Sequence, residues 1–116
     1  MFQTDGFKTI RTLTDAIVQR QEILSNNLAN IETENYVRQD LDFSRVLSEL
    51  KFNNENSDEG STALVARARY RDYLNPVTLE SEMSKLYDNH LRYLLLVKSI
   101  SHHFDHMKKA LEVRAT

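Results

Sequence analysis

Three histidines near the C-terminus, His102, His103 and His106, have the spacing in this chain that comes nearest to metal chemistry. On a helix, positions 102 and 106 share a face, the separation at which two imidazoles can hold one zinc ion. Zinc sites usually need three or four protein ligands, and the HHxxH run has no glutamate placed to serve as a base. The three therefore read as solvated histidines. His90 could accept a phosphoryl group or switch charge near neutral pH, but it falls on the seam of a long helical pattern, where a hydrogen-bonded, register-setting role is expected. Asp40 and Asp42 form a DxD pair that could hold a divalent ion beside a phosphate. Two carboxylates ahead of a short helix more often supply a cap and solvated charge. Arg67, Arg69 and Arg71, interleaved with Tyr70 and Tyr73, have the make-up of a stacking strip for single-stranded nucleic acid. A net charge of -2 provides no basic field for phosphates, and strand alternation explains the same spacing. Serines and histidines occur without a nucleophile elbow or a glycine-lined oxyanion loop. The expectation is a non-enzymatic protein with no catalytic residues, metal, cofactor or nucleic-acid partner.

The elements that would position these residues are helical. The 116-residue chain has 41% apolar and 28% charged residues, but only two glycines and one proline, too few turn-formers for a β-sandwich or a nucleotide loop. Cysteine is absent, which removes disulfides and thiolate metal sites. The longest apolar run, Tyr93 to Val97, is far below the roughly 20 residues of a membrane span. The fold expected is mainly α, a single elongated domain over 1–116. Two long terminal helices form a coiled-coil-like bundle, with a short helix, a mobile loop and an extended segment between them.

The N-terminal helix is expected over 4–31. Ile10, Ile17, Leu24 and Ile31 recur every seven residues, and Leu13, Arg20 and Asn27 fill the companion positions. The second half of this seam is thus polar and demands a particular partner. Residues 32–78 hold the remaining elements: an αL turn at Asn35, an extended 36–42, a short helix capped by Asp42, and a loop over 53–62. Alternation from Leu64 to Tyr70 predicts a half-buried strand. Over 79–113, Leu79, Met83, Leu86, His90, Tyr93, Val97, Ile100, Phe104, Met107 and Leu111 step by four and three without a slip, predicting one long helix capped by Thr78. Tyr87, Leu91, Leu94 and Leu95 widen its apolar face beyond what one partner covers.

Asn27 and Asn30 put amides at the edge of a helix contact, where an unpaired amide penalises every wrong register. The same stretch carries a resemblance. RQEILSNNLANIETENYVRQDLDF, residues 20–43, resembles the N-terminal signature of bacterial flagellar axial proteins, the rod and hook family, with the A-N-x-x-T core at Ala29-Asn30-Ile31-Glu32-Thr33. Asn75 with Val77 to Met83 and then Tyr93 is similar to the C-terminal signature of the proximal rod members. Two departures stand out: the usual Pro-Gly is Glu34-Asn35 here, and the usual Asp after the Val is Thr78.

The resemblance implies a proximal rod subunit of the flagellar basal body, built by helix packing into a torque-transmitting shaft in the periplasm. The implied partners are other rod proteins, basal-body ring and rod-adaptor proteins, and the flagellar type III export apparatus, with self-assembly in the rod. The subunit interface expected on this basis comprises Leu13, Ile17, Leu24, Asn27, Asn30 and Ile31 on one side. Met83, Leu86, Tyr93, Val97, Ile100, Phe104 and Met107 form the other. MFQTDGFKTIRTLTD lacks the features of a secretory signal, so export without a cleaved signal is expected. Phe43 and Leu47 fit the F-x-x-x-hydrophobic export element. The alternative is a soluble helical adaptor or export chaperone acting as a cytoplasmic dimer.

Overall fold

Thr78 starts the longest element. Its hydroxyl accepts the Ser81 N–H at 3.2 Å and its carbonyl accepts the Glu82 N–H at 3.0 Å, satisfying donors that the first turn leaves orphaned. The computed structural model describes residues 2–52 and 60–115. Their order is α1 (Phe2–Ala29), β1 (Arg38–Leu41), α2 (Phe43–Phe52), α3 (Ser61–Arg67), β2 (Arg69–Asp72) and α4 (Leu79–Ala115).

Helix α1 ends at Ala29, one residue before Asn30. The Asn30 side chain donates to the Asn26 carbonyl at 2.8 Å and accepts from the Thr33 hydroxyl at 3.1 Å, and the chain then turns through Asn35 with φ at 61°. Asparagine tolerates this left-handed conformation better than other residues with a Cβ, so the missing glycine is replaced locally. The turn delivers β1, which pairs antiparallel with β2 in a two-stranded sheet, Arg38 opposite Asp72 and Leu41 opposite Arg69. Asp42 follows as cap, its carboxylate accepting the Arg45 N–H at 3.3 Å.

The strand expected from Leu64 to Tyr70 is instead split. Its first half is α3, and the extended part begins at Arg69. Leu64, Val65 and Ala68 are all buried, a helical spacing, and the alternation seen in the sequence came from Ala66 and Ala68, residues that favour helix at least as well. Of the expected 53–62 loop, 53–59 lie outside the described residues, and Ser61 already opens α3.

The core lies where α1, α2, α3 and the sheet meet. Ala16, Ile17, Ile23, Leu41, Phe43, Val46, Leu50, Leu64, Val65 and Ala68 fill it, with Leu13 and Leu96 packed at its border. Helices α1 and α4 run antiparallel, since Asn27 reaches Glu82 while Ile17 reaches Asn89. The result is mainly α and elongated, 66 × 30 × 16 Å with a radius of gyration of 17.5 Å. A compact domain of this length would have about 13 Å. The accessible surface of 8670 Å² likewise exceeds the roughly 6,600 Å² of a compact monomer of this mass.

Candidate functional site

The most constrained group of side chains is a buried charge network joining the sheet to both long helices. Arg38, on β1, is 2% exposed and meets three carboxylates. Its Nε donates to Glu82 Oε1 of α4 at 2.6 Å, Nη1 to Asp72 Oδ2 of β2 at 2.8 Å, and Nη2 to Asp40 Oδ2 at 3.3 Å. Arg20 of α1 continues the chain, donating to Asp40 at 2.8 Å and to Asp88 of α4 at 3.0 Å. Strand alternation explains the placement, because Arg38 and Asp40 share a face with Asp72 across the ladder.

The electrostatics follow from the pairing. Burial works against the charged forms of Arg20 and Arg38, but their carboxylate partners outweigh it and raise both above the ordinary range. Burial likewise opposes ionised Asp40, and Arg20, the Leu41 N–H and Arg38 together hold it below its usual value. Asp72 is lowered to about 2, first by the Asn75 amide and also by Arg38. Asp88, opposed by burial, is lowered by Arg92 and Arg20.

Asn27 is the amide counterpart of this network and has no exposed surface. Its Nδ2 donates to the Gln39 carbonyl at 2.8 Å and to Glu82 Oε2 at 3.1 Å. Its Oδ1 accepts the Gln39 N–H and the Tyr36 hydroxyl, both at 3.1 Å. The side chain thus stands in for a neighbouring strand at Gln39 and closes the outer edge of β1. Within the chain this amide is fully engaged, whereas Asn30 is only half-buried and Ile31 is exposed. Ile17 and Leu24 are buried and Leu13 is half-buried.

Helix α4 presents an unexpected face to α1. Glu82, Asn89 and Leu96, spaced by seven, point inward, each one position before the seam residues Met83, His90 and Val97. Asn89 donates to the Ile17 carbonyl at 3.0 Å. The apolar seam itself is turned outward: Met83, Tyr93, Val97 and Phe104 are 44% to 59% exposed, and Leu86, Ile100 and Met107 are half-buried. Tyr87, Leu91, Leu94 and Leu95 extend the exposed stripe. Two shallow grooves flank the helix pair, one of about 300 Å³ between Ile17, Val18 and Tyr93, the other of about 250 Å³ between Leu13, Leu47 and Leu95.

The remaining candidate residues are dispersed. His90 stacks on Tyr93 with centroids 6.2 Å apart, and His102, His103 and His106 are exposed. No metal-sized group of three ligating side chains occurs among the described residues. Asp42 is a cap while Asp40 is an ion-pair partner, so the DxD is divided between two tasks. Phe43 is buried with the Arg92 guanidinium 4.7 Å above its ring, and Leu47 is 49% exposed. No described helix is long and apolar enough to cross a membrane.

Sequence reasoning missed Arg38, Asp72, Glu82, Asp88 and Asn89. The available signal was the second seven-residue series, Glu82, Asn89 and Leu96, beside the apolar seam, together with the polar Arg20 and Asn27 that it faces.

Residues 16–36, which carry Arg20, Leu24, Asn27, Asn30 and Tyr36, match the family model for flagella basal body rod protein. The chain is 28% identical over 119 residues to the flagellar basal body rod protein FlgB of Bacillus subtilis (strain 168), spanning 89% of this chain and 92% of that protein. It is 29% identical over 112 residues to the flagellar basal body rod protein FlgB of Borrelia hermsii, spanning 78% and 83%. The signatures at the two chain ends and these matches agree, and together they show a chain similar to the flagellar basal-body rod proteins of the FlgB type.

Proposed function

We propose that the chain is a structural, non-enzymatic component of the flagellar basal-body rod, a proximal rod subunit that joins its neighbours by helix packing and transmits torque. The observation that carries this reading is the outward apolar seam of α4. A helix that fastens itself to its own chain through glutamate and asparagine, and leaves methionine, tyrosine, valine and phenylalanine in water, is built for contacts beyond the chain. Asn30 and Ile31 at the end of α1 extend that surface, and the buried network fixes the relative position of the two helices that display it. Neighbouring rod proteins, ring and adaptor proteins and copies of the chain are the partners proposed, in the periplasm. Export from the cytoplasm without a cleaved signal belongs to the same reading. If Phe43 and Leu47 serve the export apparatus, Phe43 is readable only before α4 docks and Arg92 covers its ring.

Val97→Glu tests the assembly surface. The side chain is exposed, so the variant should match the parent's stability to within about 0.5 kcal/mol. Cells carrying it should nonetheless be non-motile and lack complete rods by electron microscopy of basal bodies. Full motility with normal basal bodies would overturn the proposal. Sedimentation of the purified chain addresses the adaptor or chaperone reading, which requires a discrete, stable dimer.

A further inference from the structure

Among the described residues, strand β2 has one partner and one open side. The Asp42 N–H donates to the Ala68 carbonyl at 2.9 Å, and the register pairs Asp40 with Tyr70 and Arg38 with Asp72. Alternation along an antiparallel ladder then turns the backbone groups of Tyr70 and Asp72 toward β1 and those of Arg69 and Arg71 away from it. On β1 the equivalent outward groups, at Gln39, are closed by Asn27. No described residue closes the outer edge of β2, and Arg69, Tyr70 and Arg71 are all exposed.

The side chains sort by face. Arg69 and Arg71 stand with Gln39 and Leu41, Arg69 donating to Gln39 Oε1 at 3.2 Å. Tyr70 stands on the opposite face, opposite Asp40 and next to Asp72 in alternation. We propose that the free edge of β2 is a strand-addition site for an extended segment of another protein bearing acidic residues at alternate positions. An added antiparallel strand exchanges backbone hydrogen bonds with Arg69 and Arg71, and its residues opposite them share the arginine face, where carboxylates are favourable. Its intervening residue falls opposite Tyr70, where a β-branched apolar side chain packs.

Strand β2 of a second copy does not fit. Antiparallel pairing of β2 with itself about Tyr70 sets Arg69 against Arg71 at both ends, like charge against like. Single-stranded nucleic acid does not fit either, because stacking needs ring and cation on one side. Here the arginines near Tyr70, Arg20, Arg38 and Arg92, are each paired with a carboxylate, and the two arginines of β2 project from the other face.

The test is residue-resolved amide exchange on the full chain, titrated with a capped Thr-Glu-Val-Glu-Thr peptide, its Thr-Lys-Val-Lys-Thr counterpart, and an oligothymidylate. The glutamate peptide should slow exchange at Arg69 and Arg71 while leaving Tyr70 unchanged, and should bind about tenfold more tightly than the lysine peptide. In the double variant Arg69→Glu and Arg71→Glu, with circular dichroism unchanged, the preference between the peptides should invert. Equal binding of the two peptides overturns the proposal, as does absence of protection at the two amides. Tighter binding of the oligothymidylate would replace it with a nucleic-acid site, and self-association that protects the same amides would replace it with a homotypic one.

Discussion

Asn27 joins three elements through one amide, which satisfies both backbone groups of Gln39, the Tyr36 hydroxyl and a Glu82 oxygen. Replacing it by leucine keeps the number of heavy atoms and removes all four hydrogen bonds at a site with no exposed surface, at a cost of about 3 kcal/mol. Chemical denaturation of Asn27→Leu should show that loss, and a variant as stable as the parent would contradict the role given to the amide. Asp72 makes a second prediction. Its folded-state value, about 2, lies below the ordinary one, so its contribution is complete above about pH 4 and disappears as pH falls toward 2. Asp72→Asn should therefore melt lower than the parent at pH 7 and show a shallower decline between pH 4 and pH 2. The αL turn at Asn35 was legible from asparagine's conformational tolerance alone, as were the caps at Asp42 and Thr78. The partners of Arg38 were not, because a pairing across 44 residues leaves no local periodicity.

At the scale of elements, α4 carries two overlapping seven-residue series. Hydrophobicity identifies the outer one, and only the structure reveals that Glu82, Asn89 and Leu96 form the inner one. Sequence periodicity located the long helix but not the face that packs within the chain, since charged and amide residues do not register as burial. Neighbouring substitutions separate the faces. Leu96→Ala removes packing at the core border and should cost about 2 kcal/mol, while Val97→Ala should cost under about 0.5 kcal/mol. Equal costs at the two positions would mean that α4 sits on α1 differently. The misread strand at Leu64 to Tyr70 has a related origin: alanines serve helix and strand patterns alike, and burial of Leu64 with Val65 decided for helix.

For the whole molecule, the exposed seam and the elongated outline belong together, because a chain this thin cannot bury both faces of a 37-residue helix. Most of what fastens α4 to α1 and to the sheet is protected from solvent, the exception being Asp88 of the Arg20 pair at 51% exposure. Arg38 and Glu82 have side-chain exposures of 1% and 0%, whereas Arg92 and Asp88 pair at 44% and 51%. Mobile ions screen exposed pairs over about 3 Å at 1 M salt and reach buried ones much less. Added sodium chloride should therefore weaken the outer pair yet leave the Asn27 and Arg38 contacts intact, observable as unchanged amide exchange at Gln39 across a salt titration. The chain's internal gauge, the distance along which α1 and α4 are offset, is for this reason insulated from the ionic strength of whatever compartment surrounds it.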